Sequence, residues 1–191
     1  MKRIIALFDN HERAVKAGGA LLDHGIDADR FDLVGGERLR DRFRSHLEAK
    51  ELDKKQSKIE HGVTTTTKAD AKEGAKKGGI AGIALGAIGG LASLFIPGYG
   101  IVVGSGALAT AIGTAIGAGA AGVVAGGVTG YLKDMGVDGK VAEDNDETVK
   151  KGGAIISVEY PTDGLHESQI REILNKYQVN RIEYAGEFAR T

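Results

Sequence analysis

The chain has no cysteine, no tryptophan and only two prolines, and aromatic residues make up 5% of it. Without cysteine there is no disulfide, no thiol nucleophile and no thiolate metal site. Neither sign of charge dominates: 25 Lys and Arg stand against 26 Asp and Glu, which removes the global electrostatic case for nucleic acid. The sharpest absence is local. From Gly78 to Leu132 there is no Asp, Glu, Lys, Arg or His, while both flanks are densely charged. Such a stretch of 55 residues is long enough for two membrane passes of about 20 residues each. The opening MKRIIALFDNHERAV lacks the pattern of a secretory signal, because its apolar run over residues 4–8 is too short and charges follow at once. The expected location is the cytoplasm or the cytoplasmic side of the cell membrane, not the exterior.

What is abundant is glycine, 30 residues of it, concentrated in the middle third. The two ends of the chain read differently. RIIALF (3–8) reads as a short buried strand, and Asp9 or Asn10 caps a helix over 11–25 that Gly25 stops. Gly18 weakens that helix but allows close packing on a sheet. RFDLVG (30–35) reads as a second strand, with Phe31 and Leu33 alternating against polar neighbours. At the other end GAIISVEY (153–160) is the best strand in the chain. It is followed by a turn and helix over 161–178 and a last strand, VNRIEYAG (179–186). Two β-α-β units, each too small to fold alone, predict an α+β fold: a ferredoxin-like split β-α-β sandwich built from the two chain ends. The boundaries are 1–36 and 152–191 for the two halves of that domain. Between them lie a charged helical linker (37–73), a glycine-zipper helical hairpin (74–133) and a charged helix (134–151). In the linker, Leu39, Phe43 and Leu47 form a thin apolar stripe on a helix that otherwise reads as a solvated spacer.

The hairpin expectation rests on small residues at helical spacing. Gly74, Gly78, Gly82, Gly86 and Gly90 recur every four residues. After a turn at Pro97 and Gly98, Gly106, Gly122, Gly126 and Gly130 fall on one row of small residues, and Gly113 and Gly117 on a neighbouring one. Each glycine costs about 1 kcal/mol against alanine in a helix, so the rows call for a packing role. Small residues four apart form a flat groove in which two helix backbones approach closely. Residues 78–96 would span about 28 Å as a helix, a match to a bilayer core, and the flanking Lys76, Lys77 and Lys133 would lie on one side. Residues 101–132 are too long for an upright span.

No catalytic site is legible. GIVVGSGALA (100–109) holds a Gly104-x-Gly106-x-x-Ala109 pattern resembling a dinucleotide fingerprint. It lacks the acid about 20 residues on that such a fold requires. No phosphate-loop motif ending in Lys-Ser/Thr is present. His11, His24, His46, His61 and His166 are scattered without metal-ligand spacing, and Ser105 and Ser157 have no identifiable His and acid beside them. The acids Glu143, Asp144, Asp146 and Glu147 lack the glycine and terminal glutamate of a calcium loop, and read as a solvated helix face. The expectation is a non-enzyme without cofactor, metal, nucleic acid or small-molecule substrate.

Several stretches carry a likeness. The run HGVTTTTKADAKEGAKKGGIAGIALGAIGGLASLFIPGYGIVV, the GGVTGYL exit, the KKGGAIISV strand and the opening IIALFDNHERAVKAGGALLDHGID resemble bacterial general-stress or heat-induced stress proteins, which join an α/β domain to a glycine-zipper region. The resemblance implies a stress-related, non-enzymatic role with possible membrane association, and no catalytic residues. The leading expectation is a stress-response protein whose hairpin mediates membrane association, self-assembly or both, as a homo-oligomer on or near a lipid bilayer. The alternatives are a homo-oligomeric scaffold with hairpins buried between subunits and, least favoured, a nucleotide-binding enzyme.

Overall fold

The computed structural model describes residues 2–60, 88, 91, 93–96, 100–110, 112, 128–130, 132–133, 136–161 and 165–185, with side chains in the helix after Glu37 described as far as residue 48. The elements are β1 (Lys2–Phe8), α1 (His11–Asp23), β2 (Phe31–Gly36), α2 (Glu37–Glu60), β3 (Ser93–Ile96), β4 (Gly100–Gly104), α3 (Gly139–Lys150), β5 (Ala154–Tyr160), α4 (Glu167–Lys176) and β6 (Arg181–Ala185). The fold is mixed α+β. Among the described residues six strands form one sheet in the order β3-β4-β2-β5-β1-β6, antiparallel at every junction.

The helix ends follow from local chemistry. The Asn10 side chain accepts the Glu12 N–H at 2.7 Å and caps α1. Gly25, at φ +99°, stops it in the left-handed conformation that glycine adopts freely. Asp138 caps α3 by accepting from Lys140 and Val141. Gly18 does permit close packing: a Cβ there would stand 2.8 Å from the Phe31 ring.

Strand alternation sends side chains to two cores. On the first face Ile4, Ala6 and Phe8, Phe31 and Leu33, and Ile156 and Val158 meet Ala14 and Leu21 of α1 and Ile170 and Leu174 of α4. Leu39 and Phe43 of α2 join them, fully buried, so the start of the expected spacer is a packed helix. The physical reason is continuity: α2 starts directly where β2 ends, which lays its apolar stripe beside the sheet. On the second face Ile5, Leu7, Val34, Val102 and Ile155 meet Leu108, Ile112, Val128 and Leu132, with Ala142 and Val149 of α3.

The middle segment departs from expectation. Residues 93–96 and 100–104 are not helical; they pair with each other, and β4 pairs with β2 from Asp32↔Gly104 to Gly36↔Gly100. The runs SLFI and GIVVG are short and rich in β-branched and large apolar residues, which suits a strand buried on both faces as well as a helix. The open edge of β2 supplies backbone partners that a helix does not need, and it captures the run. At Gly104 the backbone has φ +126°, and a Cβ would stand 2.2 Å from the Phe31 carbonyl oxygen, so only glycine fits. Among the described residues no helix is long and apolar enough to cross a membrane.

Candidate functional site

The chemically unusual residue is Asp32. It lies in the middle of the sheet on β2, in an otherwise apolar strand, and it is fully buried. Alternation makes it a polar neighbour of Phe31 and Leu33; it does point away from them, but that second face is also covered. Register sets Asp32 opposite Ser157 of β5 on one side and Gly104 of β4 on the other, and Arg3 of β1 opposite Glu159 of β5.

The strands therefore bring a small polar cluster together inside the second face. The Asp32 carboxylate accepts the Leu108 N–H at 3.0 Å and the Ala109 N–H at 3.3 Å. Arg3 Nη1 stands 3.9 Å from Asp32 Oδ2 and donates to Ser157 Oγ at 3.2 Å, while Nη2 donates to Glu159 Oε2 at 2.6 Å. Arg3 Nε is buried with no partner among the described residues. Burial pushes the Asp32 carboxyl above its ordinary value. The N–H groups of Leu108 and Ala109, the Arg3 charge and the Gly106 N–H pull in the opposite direction. Ser105 Oγ donates to the Ala28 carbonyl at 3.1 Å and ties the same turn to the chain just before β2.

This arrangement decides what the Gly104-x-Gly106-x-x-Ala109 turn does. In a dinucleotide site the exposed N–H groups at the start of the helix hold a pyrophosphate. Here the N–H groups of Leu108 and Ala109 hold a carboxylate of the same chain. Gly106 belongs to this seat: a Cβ on it would stand 2.5 Å from Asp32 Oδ2. Its smallness thus serves an anion's approach, not the helix-to-helix row expected of it. Gly130 lies in a helical turn, and among the described residues nothing stands within 4 Å of where its Cβ would be. Gly74, Gly78, Gly82, Gly86, Gly90, Gly113, Gly117, Gly122 and Gly126, with the turn residues Pro97 and Gly98, lie outside the described residues.

Three of the four acids of α3 are engaged in ion pairs. Asp146 Oδ2 pairs with Lys150 at 2.6 Å, Glu147 with Lys151 at 2.6 Å and Glu143 with Lys133 at 2.9 Å. Asp146 is nearly buried, so the face read as solvated is partly a packing face. Among the described residues no group of three or more His, Asp or Glu side chains is placed to hold a metal ion.

Sequence reasoning missed Arg3, Asp32 and Glu159 as a set. The available signal was an acid inside an apolar strand together with a Gly-x-Gly turn, which pairs a buried anion with free backbone donors. Compared with family models, with curated proteins and with solved structures, the chain matches none.

Proposed function

We propose that this chain is a non-enzymatic stress-response protein whose Gly/Ala-rich segment, 74–133, is a self-assembly element carried on an α+β platform. The observation that carries this reading is the placement of the residues on either side of 113–127. Leu108 and Ile112, before residues 113–127, and Val128 and Leu132, after them, sit in one core on the second face of the sheet. The intervening small-residue rows therefore leave and rejoin the same platform, which favours a packing element over a pair of membrane spans. Strands β3 and β4 take residues from both would-be spans, which points the same way.

The platform itself is best read as the ferredoxin-like split β-α-β sandwich. The order β2-β5-β1-β6, antiparallel throughout, supports that reading, with β4 and β3 added beyond β2. Asp32's hold on the Leu108 and Ala109 N–H groups weighs against a nucleotide-binding enzyme. Membrane association is the second reading, and it rests on the 55 uncharged residues. In either case the protein works in the cytoplasm or at the cytoplasmic side of the cell membrane, as a homo-oligomer.

Sedimentation velocity of the purified chain, with flotation on anionic lipid vesicles, separates the two. Assembly predicts a detergent-free oligomer that stays with the solution phase, and smaller species for Gly82→Leu and Gly86→Leu. If both variants sediment as the wild type does, the packing role of the glycine rows is wrong. Flotation with vesicles that resists carbonate washing replaces assembly with membrane association.

A further inference from the structure

The sheet is open, and its two edges differ. At one end β3 carries no charged side chain. At the other, β6 reads Arg181-Ile182-Glu183-Tyr184-Ala185, and its outer side faces no further strand among the described residues. Natural edges are blunted against chance pairing by charge, because a charge at a fixed place opposes most partners. The charges of β6 oppose most partners but match one another. Arg181 and Glu183 make no ion pair with described residues, and they flank a single position, Ile182.

Register fixes where these side chains stand. Arg181 pairs with Leu7 and Glu183 with Ile5, whose side chains enter the second-face core; Ile182 pairs with Ala6 and Tyr184 with Ile4, on the first face. Arg181 and Glu183 therefore share one face of the sheet. Tyr184, 47% exposed, is the most exposed large hydrophobic residue on the other.

We propose that β6 is the joint between two copies of this chain: the two β6 strands lie antiparallel, edge to edge, about a two-fold axis at Ile182. In that register each Arg181 stands opposite the partner's Glu183, twice over, and Ile182 stands opposite its own copy. Shifting the pairing by two residues in either direction separates both charge pairs, so charge complementarity selects the register. The two sheets become one continuous sheet of twelve strands, six from each copy. This joint uses none of the residues of segment 74–133, so it stands or falls separately from assembly through that segment.

The test uses the full chain and its own charges. Arg181→Glu sets acid against acid and Glu183→Arg sets base against base; each single variant weakens dimerisation by about tenfold or more. The double exchange R181E/E183R restores complementary pairs and restores the dimer. Mixing the two single variants yields a mixed dimer, Glu opposite Arg on both sides. Equilibrium sedimentation in a Gly82→Leu background reads this joint apart from assembly through the glycine-rich segment.

Because the chain has no cysteine, Ile182→Cys gives a second measure. Directly opposed residues of an antiparallel pair have Cα atoms about 4.5–5.5 Å apart, within disulfide range, so I182C cross-links to itself on mild oxidation. Tyr184→Cys does not, since the two copies of that position lie about 13 Å apart along the joint. The proposal is overturned if the wild type is monomeric in the Gly82→Leu background, if either single variant dimerises as the wild type does, if the double exchange stays monomeric, or if I182C remains uncross-linked.

Discussion

Asp32 is both a cap and a buried charge, and those roles pull its energetics in opposite directions. Removing it as Asp32→Ala strands the Leu108 and Ala109 N–H groups and leaves Arg3 with one counter-charge fewer, a loss of about 3–5 kcal/mol measurable by urea unfolding. The pH dependence has a definite sign. The folded protein holds the Asp32 proton more tightly than an ordinary carboxyl of value 3.8. The stability contributed by its protonation is thus fully present below about 3.8 and is lost as pH rises through the folded value. Asp32→Asn removes that titration. Between pH 3.5 and 7 the wild type should lose stability relative to D32N; parallel curves for the two proteins would show that burial does not dominate this site. None of this was legible from alternation along FDLVGG, because alternation says which face a residue points to and not whether that face is covered. Covering it took Leu108, Ile112, Val128 and Leu132, more than 70 positions away in sequence.

The elements divide into those that local signals determine and those that a distant partner determines. Helix α1 belongs to the first kind: Asn10, the apolar spacing and Gly25 mark its start, face and stop, and the structure places it as read. Strands β1, β2 and β5 likewise follow from short apolar runs bounded by turns, and β6 from its Ile-x-Tyr alternation. Strands β3 and β4 belong to the second kind. SLFI and IVVG carry no period that separates strand from helix, and glycines every four residues upstream bias the reading toward helix. The hydrogen-bonding edge of β2 decides the matter. Hydrogen exchange checks it directly: the amides of Ile101–Val103, between β2 and β3, should exchange as slowly as those of β2. Rapid exchange there would return the segment to the unpaired state. Helix α2 is intermediate. Its stripe is visible in sequence, but its burial depends on β2 running straight into it. Phe43→Ala should cost about 3–5 kcal/mol in thermal or urea unfolding, a core-sized effect that a solvated spacer would not show.

At the scale of the whole molecule, the sheet has helices and apolar chain on both faces, and described residues of the Gly/Ala-rich middle are part of that covering. Ile88 lies in the first-face core, while Leu108, Ile112, Val128 and Leu132 lie in the second. A reading that treats the middle as an independent insertion explains its lack of charge by lipid. Burial against both faces of the sheet explains part of the same composition without it. The α+β class was legible because each chain end carries its own strand-helix-strand pattern; the six-strand width was not, because two of its strands come from the segment least like a strand in composition.

The placement of β1 has a consequence for how the protein is made. The neighbours of β1 are β5 and β6, the last two of the described strands, with Arg3 opposite Glu159 and Ala185. During synthesis the apolar run IIALF is made about 150 residues before either partner exists, on the order of ten seconds or more at ordinary elongation rates. Contacts so distant in sequence also fold slowly once complete. Until β5 and β6 are made the run has no sheet partner, so ribosome-bound chains halted before β5 should leave IIALF accessible to chaperones, and cross-linking of such stalled chains checks it. A rearranged gene that encodes β5, α4 and β6 ahead of β1 would shorten that wait while keeping the same strand pairs.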